Sequence, residues 1–254
     1  MALSRHKEKI PGIKRIMGVL SGKGGVGKSF ITANLALAMA KMGAKVGILD
    51  ADIACPSLFR IFDISAKTPP DSNNQIHPVE KYGVKIVSMA GLSATEDEAI
   101  VWRGPILSKI IQQLLKESLW GELDVLLIDF PTGTSDSTLT ILQQIQVDGA
   151  ILVTTPQSLA TIDVRRAGNM VRMLDVPMLG IVENMRGEIF GEGGGSITAQ
   201  KLHTSFLGSI PLRKQIVEFC DRGTPAFFHM DELDLIFGKI ARSTLEQVFA
   251  NISV

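Results

Sequence analysis

The chain has 254 residues, 45% hydrophobic and 20% charged, proportions ordinary for a soluble protein with a substantial core. Its 26 Lys and Arg balance 26 Asp and Glu, which argues against nucleic-acid binding driven by overall charge. No apolar run approaches the roughly 18 to 20 residues that span a bilayer. The polar, basic start Met1–Arg15 leads into no secretory core, and Cys55 and Cys220 alone build no disulfide framework, so a cytoplasmic protein with no membrane or nucleic-acid partner is expected.

One domain over residues 1–254 is expected, with a short flexible tail to about residue 12. Short, nearly unbroken apolar runs at Ile16–Leu20, Val46–Leu49, Val84–Met89, Val125–Ile128, Ala150–Val153, Met178–Val182 and Phe206–Gly208 read as strands buried on both faces. Helix-period stretches between them fall at Gly27–Met42, Ile106–Leu119, Asp136–Ile145, Ile162–Leu174 and Leu233–Phe249. The alternation predicts an α/β fold, a doubly wound, mostly parallel sheet with helices on both faces. Pro69–Asn74 and the Gly-dense Gly187–Gly195 read as loops. The end of the chain, with Leu233, Ile236, Phe237, Ile240, Leu245 and Val248 at helical spacing and mixed charges, reads as a helix packed on the core.

Between the first strand and first helix lies Gly22-Lys23-Gly24-Gly25-Val26-Gly27-Lys28-Ser29, which fits the spacing of a phosphate-binding loop. Its glycines let backbone N–H groups wrap an anion, and the following helix turns its positive end toward it. Lys28 is then the residue for the β- and γ-phosphates, and the Ser29 hydroxyl a magnesium ligand. Two apolar strands end in acids, at Asp50-Ala51-Asp52 and at Asp129-Phe130-Pro131-Thr132-Gly133-Thr134. Ligands gather at the carboxyl ends of such strands. Asp129 is the candidate for the magnesium shell and Asp52 for orienting an attacking water.

These residues resemble the MinD, ParA, ArsA and nitrogenase-iron-protein superfamily. Val101–Pro105, Leu119–Asp124, Asp148–Ala150 with Thr154–Gln157, Val182–Met185, Phe190–Gly195 and Leu207–Leu212 are similar to its Mrp/ApbC branch. The resemblance implies a P-loop ATPase that carries or assembles iron–sulfur clusters for apoproteins and works as an ATP-bridged homodimer. It implies that Lys23 contacts the partner subunit's nucleotide, and that adenine is recognised near Asn184 and Pro211-Leu212. An Asn amide, both donor and acceptor, suits a base edge. Phe30 stands where relatives usually have Thr, which removes a hydroxyl contact to the α-phosphate and leaves the backbone N–H.

Many members of the branch carry a Cys-x-x-Cys pair after the Glu-Asn-Met segment, whose four thiolates across a dimer would hold a [4Fe–4S] cluster. Here Met185 is followed by Arg186-Gly187-Glu188-Ile189-Phe190. Cys55 and Cys220 remain as possible relocated ligands, although a free cysteine is more often a small buried hydrophobe. Two alternatives stand beside a carrier: a cysteine-less regulatory partner of one, or a MinD/ParA-like ATP-driven dimerisation switch.

Overall fold

In the computed structural model, residues 7–53, 55–92 and 104–250 are described. Val101–Arg103 of the branch-like segment and residues 1–6 of the expected tail lie outside them.

One eight-stranded sheet organises the chain. Its strands are β1 (Ile13–Ser21), β2 (Val46–Asp50), β3 (Val79–Lys81), β4 (Val84–Ser88), β5 (Leu123–Asp129), β6 (Gly149–Thr154), β7 (Met178–Arg186) and β8 (Phe206–Pro211), in the order β3-β4-β2-β5-β1-β6-β7-β8. Every pairing is parallel except β3 with β4. That pair is joined across Tyr82-Gly83, both at positive φ, the backbone of a tight hairpin turn.

Among the described residues, eight α-helices cover the sheet: α1 (Lys28–Lys41), α2 (Leu58–Ile61), α3 (Gly104–Glu117), α4 (Asp136–Gln144), α5 (Ser158–Met173), α6 (Gly194–Lys201), α7 (Lys214–Asp221) and α8 (Asp231–Ala250). Alternate side chains of β1 part to opposite faces, as strand periodicity requires. Met17 and Val19 join Ile31, Leu35 and Met39 of α1 with Phe237 and Ile240 of α8. Ile16 and Leu20 join Ile111 and Leu115 of α3, Ile141 of α4 and Val164 of α5. Two cores back to back on one sheet explain the unbroken hydrophobicity of its central strands.

Phe30 belongs to this packing: it is 8% exposed and meets Phe237 edge-on at 5.9 Å between ring centres, fastening α1 to the C-terminal helix. Residues 7–12, expected to be part of a flexible tail, are instead docked. Glu8 N–H donates to Gln144 O at 2.7 Å, Gln146 N–H returns to Glu8 O at 2.8 Å, and Ile10 is buried. Strand Val84–Met89 is one residue shorter than expected, because Met89 opens a 3-10 turn whose Ala90 N–H donates to Ser88 Oγ.

Candidate functional site

The sheet places the carboxyl ends of β1, β2 and β5 together, with Asp129 opposite both Val19 and Asp50 in register. The loop from Gly22 to Gly27 springs from β1 at this edge. Gly25 and Gly27 have φ of 77° and 81°, a region that side chains disfavour. A Cβ at Gly22 would stand 2.1 Å from the carbonyl carbon of Asp163 in α5, so only glycine lets the loop lie against that helix. At Gly24 and Gly25 a Cβ would meet nothing within 4 Å. The outer face of the loop is open, the form of a cradle for phosphate oxygens.

Lys28, 4% exposed, stands at the floor with Nζ 2.8 Å from Oδ2 of fully buried Asp129. The pair is close enough to be ionic, yet its angles are not those of a hydrogen bond, and the enclosed Nζ donates to no acceptor. An ammonium with three donors to place suits a phosphate. Ser29 Oγ donates to Asp129 Oδ2 at 2.6 Å and Thr32 Oγ1 to Oδ1 at 2.6 Å. Thr32 escaped the sequence reading; its spacing of three from Ser29 puts both hydroxyls on one face of α1. The Ser29 hydroxyl and the Asp129 carboxylate are hard oxygen donors, the kind magnesium takes.

Asp50 completes the interior. It is fully buried and accepts from Ser88 Oγ at 3.1 Å, Asp52 N–H at 3.3 Å and Leu58 N–H at 3.3 Å. Burial, then the adjacent Asp129 charge, raises its pKa to about 7, against the opposing pull of Lys28. Asp52 is half-buried, and burial raises its pKa also, with Lys28 acting in the other direction. Their shared upward shift reflects burial and carboxylates crowded around one ammonium, an environment that a further positive charge would relieve. Lys23 is half-buried at the outer side of the loop, with its carbonyl accepting from Ser21 Oγ at 3.1 Å.

Asn184 and Pro211-Leu212 stand beside this site in different ways. Asn184, 5% exposed, lies against the loop: its Nδ2 donates to Val26 O at 2.9 Å, and its Oδ1 accepts from Met185 N–H at 2.9 Å. Its amide ties β7 to the loop, leaving one N–H and one lone pair for anything else. Pro211 and Leu212, at the end of β8, line a cavity of about 620 Å3 with Arg186, Ile189 and Glu192. Glu183, a buried carboxylate of the Val182–Met185 segment, anchors that wall by accepting from Gly195 N–H at 2.7 Å, Gly193 N–H at 3.3 Å and Ser209 Oγ at 2.9 Å.

The position of the branch's cysteine pair is a closed hairpin. Gly187 and Gly191 exchange N–H···O bonds of 3.0 and 2.7 Å, and Ile189 at its tip is 78% exposed. Cys55 is exposed after β2, while Cys220 is part-buried in α7 against the α1/α8 core. Burial, then Asp221, pushes the Cys220 thiol up to about 11, away from the thiolate that binds metal. Among the described residues no group of three or more His, Cys, Asp or Glu is arranged to hold a metal. Nor does any described helix have the length and apolarity to cross a membrane.

A nucleotide-binding protein from Archaeoglobus fulgidus, solved in complex with ADP, is 36% identical with a TM-score of 0.74, covering 87% of this chain and 90% of that one. The cell division ATPase MinD of Pyrococcus furiosus shares the fold, with a TM-score of 0.70 at 23% identity over 92% of this chain and 99% of that one. Relatives named iron-sulfur cluster carrier protein include one from Methanocaldococcus jannaschii, 42% identical over 96% of this chain and 89% of its own. Another, from Aquifex aeolicus, is 42% identical over 86% of this chain, and the match spans 63% of that relative's length. A family described as ParA, NUBPL iron-transfer P-loop NTPase, matches residues 12–248. With its phosphate loop, its strand-end acids and this match over most of its length, the chain belongs to the ParA/NUBPL family of iron-transfer P-loop NTPases.

Proposed function

We propose that this protein binds MgATP in the loop 22–29, hydrolyses it slowly to ADP and phosphate, closes into an ATP-bridged homodimer, and serves the delivery of iron–sulfur clusters to apoproteins in the cytoplasm. The observation that carries the reading is the convergence of Lys28, Ser29 and Thr32 on buried Asp129 beneath an open glycine loop. Lys28 neutralises charge on the β- and γ-phosphates, and the backbone N–H groups at the start of α1 hold the remaining oxygens. Ser29 and Asp129 would hold magnesium, Ser29 as a ligand and Asp129 in its shell, and the ion would supply charge neutralisation at the phosphates. Asp52 holds the attacking water through a carboxylate whose pKa is already raised by burial. Lys23 reaches the partner subunit's nucleotide across the dimer. Cluster delivery rests on the names of relatives such as the one from Methanocaldococcus jannaschii.

The cluster is cargo, and the thiols of this chain fit it poorly: the hairpin Gly187–Gly191 fills the place of the cysteine pair, and Cys220 is part-buried with a raised pKa. These observations favour a second reading, in which the chain is the ATP-dependent partner of a cysteine-bearing relative. Sedimentation of the purified chain with and without MgATP, with phosphate release followed in parallel, tests the first reading. An ATP-dependent dimer with slow release is expected, and a monomer in every nucleotide state would sink it. Anaerobic loading with iron and sulfide separates the two: about four irons per dimer favours a carrier, and none favours the partner.

A further inference from the structure

The two oxygens of the Asp129 carboxylate are held by different groups. Oδ2 accepts from Ser29 Oγ at 2.6 Å and lies 2.8 Å from Lys28 Nζ, the two side chains of the phosphate loop. Oδ1 accepts at 2.6 Å from Thr32 Oγ1, a residue outside the loop motif. Thr32 and Asp129 are both fully buried, so solvent reaches neither end of this bond. A buried carboxylate oxygen without a donor is costly, which gives the threonine hydroxyl a hold on the orientation of the whole group.

The hold is built into α1. Thr32 stands one turn after Lys28, and its Oγ1 also lies 3.1 Å from Lys28 O. A helical threonine favours rotamers in which the hydroxyl bonds back to the preceding turn, and here that rotamer faces the end of β5 as well. The hydroxyl has one hydrogen for two acceptors, and the shorter, charged contact to Oδ1 is the stronger claim on it. The last torsion of an aspartate is broad, so a carboxylate tied at one oxygen alone turns readily. Tied at Oδ1, it keeps Oδ2 for Ser29. The Ser29 hydroxyl gives its one hydrogen to that oxygen, which leaves its lone pairs for a cation. A carboxylate released at Oδ1 turns toward the Lys28 ammonium, and the serine hydroxyl loses the acceptor that orients it.

We propose that Thr32 is a positioning residue of the magnesium site: by holding Asp129 Oδ1 it keeps Oδ2 against Ser29 Oγ and so presets the serine oxygen to ligate the ion. Thr32 acts through Asp129 and touches neither nucleotide nor metal. The assignment rests on the MgATP reading above and adds the residue that orients its carboxylate.

Calorimetry of ADP binding, with magnesium and with the metal chelated, tests it on the wild type, Thr32→Val and Thr32→Ser. The quantity read is the factor by which magnesium strengthens ADP binding. Thr32→Val keeps the shape of the side chain and removes the hydroxyl, and the factor should fall about tenfold, the scale of one hydrogen bond to a charged group. Thr32→Ser keeps the hydroxyl and should restore most of it. A residue that only packs would weaken ADP binding with and without magnesium alike and leave the factor where it was. A factor unchanged in Thr32→Val overturns the assignment, as does a factor as low in Thr32→Ser as in Thr32→Val. Thr32→Ala replaces Thr32→Val should the latter fold poorly. A magnesium effect that survives loss of the hydroxyl overturns this inference alone; wild-type ADP binding indifferent to magnesium overturns the metal reading with it.

Discussion

The phosphate loop and the hairpin after β7 sit at the same edge of one sheet and are built by opposite rules. Around the loop, charge is buried and tightly partnered: Lys28, Asp50 and Asp129 are each at most 4% exposed, and two hydroxyls close on one carboxylate at 2.6 Å. At the hairpin, two glycines pair by backbone alone and present Ile189 outward, where the branch pattern calls for thiolates. Buried charge is expensive unless each group answers another, so the first region ties its side chains to one chemistry. The second region is held instead by two backbone hydrogen bonds between Gly187 and Gly191.

Breaking the charged region should have the largest effect. Lys28→Ala removes the point charge on the phosphates and leaves Asp129 buried without its counter-charge. Calorimetry should show MgATP affinity down about a hundredfold, the scale of a hydrogen-bonded charge. An affinity within threefold of wild type would mean that the loop backbone alone holds the nucleotide.

A subtler test concerns pH. In the folded chain Asp50 keeps its proton up to about pH 7, whereas an unfolded aspartate gives it up near pH 4. Between these values the folded state binds more protons, so Asp50 makes stability fall as pH rises. Melting curves at about pH 5 and pH 7.5 should show Asp50→Asn losing less stability across this window than the wild type. Parallel losses would show that Lys28 holds Asp50 ionised throughout.

The link between the two regions should give the smallest change. Asn184→Ala leaves Val26 O without its side-chain donor, and about 1 kcal/mol of stability should go, or about 3 °C in melting temperature. A nucleotide affinity that stays put while the melting temperature drops assigns Asn184 to the loop; loss of base selectivity would assign it to adenine.

Strands that cross the middle of the sheet were legible because both faces are buried and the residues say so, as in Val125–Ile128 and Ala150–Val153. Edge elements were not. β3 is three residues with only Val79 apolar, and its pairing depends on the turn at Tyr82-Gly83. α6 begins inside a glycine-dense stretch read as a loop, since the group that accepts its first N–H bonds, the Glu183 carboxylate, comes from β7. The phosphate loop, Lys28, Ser29 and Asp129 were readable as a linear pattern, and the structure brings them together. Ser88 and the tie from Asn184 to Val26 depend on which side chains face each other across the fold, and no local spacing announces them, whereas Thr32 follows Ser29 at helical spacing.

Gly22 opens the phosphate loop, but the atom that forbids any larger residue there belongs to α5, 2.1 Å from where its Cβ would be. Its constraint is architectural, set by packing against α5 whether or not the loop holds an anion. In a descendant that had lost the ability to bind ATP, mutational drift would reach Lys28 and the open positions Gly24 and Gly25, while Gly22 would persist as long as the sheet and α5 still packed. The first glycine of the motif is a fossil of the scaffold, and the lysine is the record of the trade.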